Sequence, residues 1–145
     1  MKVFLDASVL VAAVIQKHAA HERAFAVLER VQEGRDEGFV SAHGLAEFYA
    51  TLTKLPPPFR HSPEQALLSL EENVLKHFKI SSLTGSDYSA LIHEAALAGI
   101  QGGTIYDAVL LKSASKAAVD QVCTLHLKHF EALPPNHFTP QLLAP

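Results

Sequence analysis

The chain is short of cysteine, lacks tryptophan and carries no excess of positive charge. A single cysteine, Cys123, among 145 residues rules out an internal disulfide, and its apolar surroundings mark it as a small buried thiol. The net charge of −3 with histidine neutral leaves no general electrostatic footprint for nucleic acid, so any phosphate contact has to be local and offset by cations. No apolar run approaches the roughly 20 residues of a membrane span. The opening residues also lack the basic segment, apolar core and cleavage site of a signal peptide, so a cytoplasmic protein is expected. There is no Gly-x-Gly-x-x-Gly after the first apolar run, no phosphate loop ending in Gly-Lys-Ser/Thr and no Gly-x-Ser-x-Gly elbow. Aspartyl-phosphate chemistry would need an aspartate two positions after Asp6, where Ser8 stands.

What is present is a chain rich enough in apolar residues to fold. Hydrophobic content of 48% against 19% charged residues predicts one globular domain over residues 1–145. A chain of this size buries about two-thirds of its unfolded surface. Residues 2–5 read as a buried strand and 7–15 as an apolar helix for which Ser8 is a candidate cap. Over 20–32 the spacing of Phe25, Leu28 and Val31 predicts an amphipathic helix, broken by Gly34 and Gly38 before a short strand at 39–41. A helix over 44–55 ends at Pro56-Pro57-Pro58. Ser62-Pro63-Glu64-Gln65 then carries the cap, first-turn proline and glutamine of a capping box. A strand over 78–83, helices over 84–98 and 104–118, and a final parallel strand over 121–125 complete the alternation. The expected architecture is a three-layer α/β/α domain with a small, mostly parallel sheet. Leu67, Leu68, Leu75 and Phe78 suit core or interface, and core is the expectation.

Three carboxylates attract functional interest: Asp6 after the first strand, Glu47 in the helix over 44–55, and Asp107 within an otherwise uncharged run. In open parallel sheets ligands bind beyond the carboxyl ends of the strands, which is where Asp6 falls, although a residue there can equally cap the next helix. On a helical wheel Glu47 falls with Thr51 and Lys54, away from the stripe of Leu45, Phe48, Leu52 and Leu55, which predicts a solvated side chain. Asp107 lies beside Leu111 and Ala114 at the border of the apolar face. A dry, unpaired carboxylate there costs several kcal/mol, roughly, unless hydrogen bonds or a cation answer it, and a hard divalent cation would answer all three acids together.

Val3-Phe4-Leu5-Asp6-Ala7-Ser8, the stretch 41–54 around Glu47, and Gly103-Thr104-Ile105-Tyr106-Asp107-Ala108 resemble the three signatures of PIN-domain proteins, in the family's order and approximate spacing. Length and layout look most similar to VapC-type toxins, the nuclease halves of prokaryotic toxin–antitoxin pairs. The resemblance implies a small parallel sheet flanked by helices, a Mg²⁺ or Mn²⁺ site and endoribonuclease activity on RNA. It also implies a homodimer, and a cognate antitoxin whose peptide arm blocks the acidic groove. It moves Glu47 from the surface into the acidic cluster. Asp6 and Asp107 become the first-choice metal ligands, and Glu47 a further ligand or an orienter of water. Ser8 and Thr104 become candidate substrate contacts, with helix capping an equal reading for both.

The family pattern breaks after the last core strand. Family members often carry Thr-x-Asn-x-x-Asp-Phe there, and this chain has Thr124-Leu125-His126-Leu127-Lys128-His129-Phe130. His129 replaces the fourth acid, which predicts one tightly held ion, and His126 replaces the asparagine; both become candidate phosphate contacts. The pairs His126/His129 and His18/His21 invite a zinc reading, but a structural zinc site needs four ligands and neither pair suggests a full set. The missing acid also supports an alternative, a PIN-like domain that binds RNA or protein without cutting.

Overall fold

The computed structural model describes residues 1–131, 133 and 141–145, with the backbone alone for 141–143. The elements run β1 (Lys2–Leu5), α1 (Ala7–Val14), α2 (His21–Gln32), β2 (Glu37–Ser41), α3 (Ala42–Lys54), α4 (Pro63–Leu70), β3 (Phe78–Ser81), α5 (Gly85–Leu97), α6 (Thr104–Lys116), β4 (Gln121–Cys123), α7 (Leu127–Glu131) and β5 (Gln141–Leu143). A π-helical stretch, Glu71–Leu75, follows α4.

Among the described residues five strands lie in the order β3-β2-β1-β4-β5, with every pairing parallel. The alternation of side chains along β1 sorts the layers. Val3 and Leu5 join α1, α2, α3 and α4 in one core, whereas Phe4 points the other way, to Leu110 and Ala114 of α6, Val122 of β4 and Phe130 of α7. This is the expected three-layer α/β/α arrangement. The chain steps from β1 outward to β2 and β3, then crosses back to place β4 on the other side of β1. The switch point of the sheet therefore lies between β1 and β4, beyond Leu5 and Cys123.

Local signals account for most boundaries. Ser41 caps α3, its Oγ accepting from Gly44 N at 2.8 Å. The Ser62/Gln65 capping box forms in full, and Thr84 with Asp87 forms a second one at α5. Gly38 lies inside β2, not ahead of a strand starting at 39: a Cβ there would stand 2.5 Å from Val31 Cγ1 and 2.6 Å from Phe78 Cδ1, so helix α2 and β3 close over a bare backbone. Cys123 is buried, and burial pushes its thiol up.

Several expectations need correction. Strand β4 is not the last, since β5 pairs with it. Ser8 does not cap α1: the cap position is Asp6, whose side chain makes no capping hydrogen bond. Thr104 does not cap α6, whose cap position is Gly103. Phe25 is 41% exposed and stacks on His21, because α2 buries the stripe Ala24, Leu28 and Val31 instead. Of the four residues expected in the core, only Phe78 is buried; Leu67, Leu68 and Leu75 are exposed. The core-facing stripe beyond Pro63 is Ala66, the half-buried Leu70 and Val74, spaced by four residues, and the other leucines fall off it. Among the described residues no helix is long and apolar enough to cross a membrane.

Candidate active site

A pocket of about 650 Å³ opens at the switch point, and Asp6, Glu47 and Asp107 all line it. Each arrives from a different segment. Asp6 is the first residue beyond β1, and its backbone N–H extends the sheet by donating to Cys123 O at 3.0 Å. Glu47 sits in the second turn of α3, and Asp107 in the first turn of α6.

Asp6 is held in place by its neighbours. Its Oδ2 accepts from Ser8 Oγ at 2.9 Å and from Thr124 Oγ1 at 2.7 Å. Both hydroxyls are themselves fixed by backbone, Ser8 Oγ accepting from Leu125 N at 3.2 Å and Thr124 Oγ1 from His126 N at 3.1 Å. The other carboxylate oxygen, Oδ1, carries no hydrogen bond among the described residues. Thr124 is fully buried, so its hydroxyl has no solvent alternative to this role.

The electrostatics of the other two acids run against ionisation. Burial pushes the Glu47 carboxyl above its ordinary range; His43 opposes this, and the charges of Asp6 and Asp107 reinforce it. Burial likewise raises Asp107, against His129 and His126, with Asp6 adding to the rise. Asp107 is half-buried, as its border position implied, while the Glu47 side chain is 45% exposed. Glu47 is thus both a solvated side chain, as the wheel predicts, and part of the acidic pocket, as the resemblance implies. Its Oε1 lies 3.1 Å from His43 Nε2.

His126 and His129 also line the pocket, their rings stacked at 4.8 Å and 13°. Thr104 is not among the lining residues. Sequence reasoning assigned no site role to Thr124, His43, Tyr106 or Arg23, and His18 entered only as half of a zinc pair with His21. For Thr124 the signal was available, since adjacent parallel strands bring their terminal residues side by side, and for His43 it was the i, i+4 spacing to Glu47. Nothing in the sequence singled out Arg23.

Among the described residues no three His, Cys, Asp or Glu side chains form a ready-made metal cage. The donor set nonetheless fits a hard cation. All three acids offer oxygen, two of them carry raised proton affinities that a positive charge would relieve, and Mg²⁺ in particular is held by one or two carboxylates while keeping its waters.

Fold and site together define an α/β domain with an acidic pocket at the switch point of its sheet. A family model for the PIN domain matches residues 3–126, and the chain belongs to the PIN-domain family. Membership implies use of a divalent metal ion. The chain is 33% identical over 134 residues to Ribonuclease VapC40 of Mycobacterium tuberculosis, covering 87% of each chain. It is 30% identical over 112 residues to Ribonuclease VapC27 of the same organism, covering 77% of this chain and 76% of that one. In fold it is similar to a chain in the crystal structure of VapBC2 from Rickettsia felis bound to a promoter DNA fragment, with a TM-score of 0.67 at 21% identity over 99% and 98% of the two chains. It is also similar to VapC20 of M. tuberculosis, described as a toxin that cleaves the sarcin-ricin loop, with a TM-score of 0.62 at 15% identity over 83% and 86%.

Proposed function

We propose that this protein is a metal-dependent endoribonuclease, the toxin of a toxin–antitoxin pair, which hydrolyses RNA phosphodiester bonds at the Asp6, Glu47 and Asp107 pocket. The carrying observation is that three acids from separate segments line one pocket in which the charges of Asp6 and Asp107 help to raise Glu47. The curated relatives are named ribonucleases and match over most of their length.

Asp6 and Asp107 would hold the ion, Mg²⁺ or Mn²⁺, with Glu47 as a further ligand or as an orienter of water. When bound, the ion would supply positive charge to the phosphodiester and ease deprotonation of the attacking water. Ser8 and Thr124 position Asp6 by holding Oδ2, which leaves Oδ1 for a ligand. The raised proton affinity of Glu47 suits its carboxylate to take a proton from attacking water. His126 and His129, stacked on the wall near Asp107, supply N–H groups toward a substrate phosphate.

An antitoxin arm bearing Arg or Lys suits a pocket with three acids. The exposed Leu67 and Leu68 of α4, together with Ile92 and Leu97 of α5, support a homodimer in which a second copy covers one of these faces.

The test is cleavage of a fluorogenic single-stranded RNA by the purified protein in Mg²⁺, in Mn²⁺ and in EDTA. Cleavage in either metal that EDTA abolishes is the expected result. RNA binding without cleavage in any metal would favour the non-cutting alternative that His129, in place of an acid, keeps open.

A further inference from the structure

Tyr106 stands at the lip of the acidic pocket, immediately before Asp107, and is 56% exposed. An aromatic ring in the first turn of a helix has no core to fill there, yet it is not loose. It lies parallel to the His43 ring, with centroids 5.3 Å apart and planes within 7°, an offset stack. His43 is in turn held by Glu47 through Nε2. Tyr106 Cδ2 lies 4.0 Å from where a Cβ at Gly103 would stand. The ring is oriented by groups that belong to the catalytic pocket, and more than half of the residue stays open to a ligand.

We propose that Tyr106 is a specificity-determining contact that stacks the nucleobase next to the scissile phosphate of single-stranded RNA, extending the His43–Tyr106 pair by a third ring. The inference rests on the ribonuclease reading and deepens it. A phosphate drawn into the pocket carries its base one sugar away, at the lip where Tyr106 stands. Every nucleobase presents a π-face, so stacking selects single-stranded over paired RNA without reading sequence. A guanidinium from a peptide arm also stacks on a tyrosine, and the arginine-rich peptide in the test separates that case from a base.

The test measures binding, separately from cleavage, by fluorescence anisotropy of a labelled single-stranded RNA decamer in EDTA and in Ca²⁺. The same measurements use an all-abasic strand of equal length and an arginine-rich peptide. Parent, Tyr106→Phe, Tyr106→Trp and Tyr106→Leu are compared, with thermal melts to confirm folding. Tyr106→Phe and Tyr106→Trp should bind RNA within about twofold of the parent, and Tyr106→Leu about tenfold more weakly. All four should bind the abasic strand alike. In the cleavage assay Tyr106→Leu should raise KM more than it lowers kcat. Equal RNA binding by parent and Tyr106→Leu, in a parent that cuts RNA, overturns this inference alone. Loss of peptide binding with RNA binding retained would assign Tyr106 to a protein partner and overturn it too. A parent that neither binds nor cuts RNA overturns both this inference and the ribonuclease reading.

Discussion

At the amino-terminal edge of the sheet the carboxylates are answered; at the carboxyl edge they are not. Asp36, just before β2, has a side chain only 5% exposed, and it is bound by Arg30 Nε at 2.6 Å, by Arg30 Nη2 at 3.2 Å and by the chain's amino group at 3.4 Å. The Arg30 guanidinium holds its carboxyl below the usual range. Nearby, Glu37 pairs with Lys79, and Asp120 accepts from Lys2 N at 2.8 Å. Across the sheet, Asp6 meets two hydroxyls and Glu47 meets His43, while burial raises both Glu47 and Asp107. One edge has its cations built in. The other has one arginine, Arg23, on the pocket wall but no Lys or Arg ion pair to Asp6, Glu47 or Asp107 among the described residues, so a divalent ion would still relieve the raised acids.

The sharpest way to break this comparison is to neutralise one acid at each edge. Asp6→Asn should lower RNA cleavage by about a hundredfold or more, equivalent to about 2.7 kcal/mol of transition-state stabilisation, and Asp107→Asn should behave alike. Both should fold as the parent does. Asp36→Ala should do the reverse, leaving cleavage intact while urea denaturation reports a loss of about 2 kcal/mol from the hydrogen bonds to a charged group. Loss of cleavage in Asp36→Ala with the fold intact would erase the distinction between the edges.

A smaller effect is expected at Glu47. Glu47→Gln should slow cleavage at least about tenfold, about 1.4 kcal/mol, and its thermal stability without metal should rise slightly. The sign follows from the raised carboxyl. A group held above its unfolded pKa disfavours the fold when ionised, so removing its charge helps at pH above the folded value. The gain should vanish as pH falls below the unfolded carboxylate range, near about 4.3. Asp36, held low, behaves oppositely: its contribution is present above the unfolded pKa and is lost as pH falls through its folded value. Melting curves of parent and Glu47→Gln from neutral to acid pH check the direction.

How much of this was legible in the sequence follows from where the signals are local. The capping box at Ser62 and Gln65, the apolar run of β1 and the placement of Asp6 beyond it are fixed by neighbours in the chain, and each forms as expected. Strand β5 was missed because Gln141–Leu143 is three residues between prolines at 140 and 145, too short to show a period. Leu67, Leu68 and Leu75 were misplaced because several leucines competed for one face, and only tertiary packing selects Ala66, Leu70 and Val74. Glu47 could be read from its wheel or from the family, and both describe it, since the pocket it lines is open to solvent. The Asp36 and Arg30 pair carries no motif, and only the fold explains it.

Smaller again is the effect expected at Thr124. Thr124→Val keeps the shape but removes a hydrogen bond to Asp6, and should weaken Mn²⁺ binding by about tenfold. His129→Asp restores the commoner family acid and should strengthen binding of a second ion, which Mn²⁺ titration of parent and variant would count.

The claim that a divalent ion would relieve the raised acids of the carboxyl edge is tested most directly by the shift in melting temperature on adding Mn²⁺. The parent should be stabilised progressively as Mn²⁺ rises. Asp6→Asn and Asp107→Asn, whose metal-free forms carry less charge repulsion, should start no lower and respond weakly, while Asp36→Ala should start lower and respond as fully as the parent. A parent whose melting temperature is indifferent to Mn²⁺, or acid-to-amide variants that respond as strongly as the parent, would contradict the account.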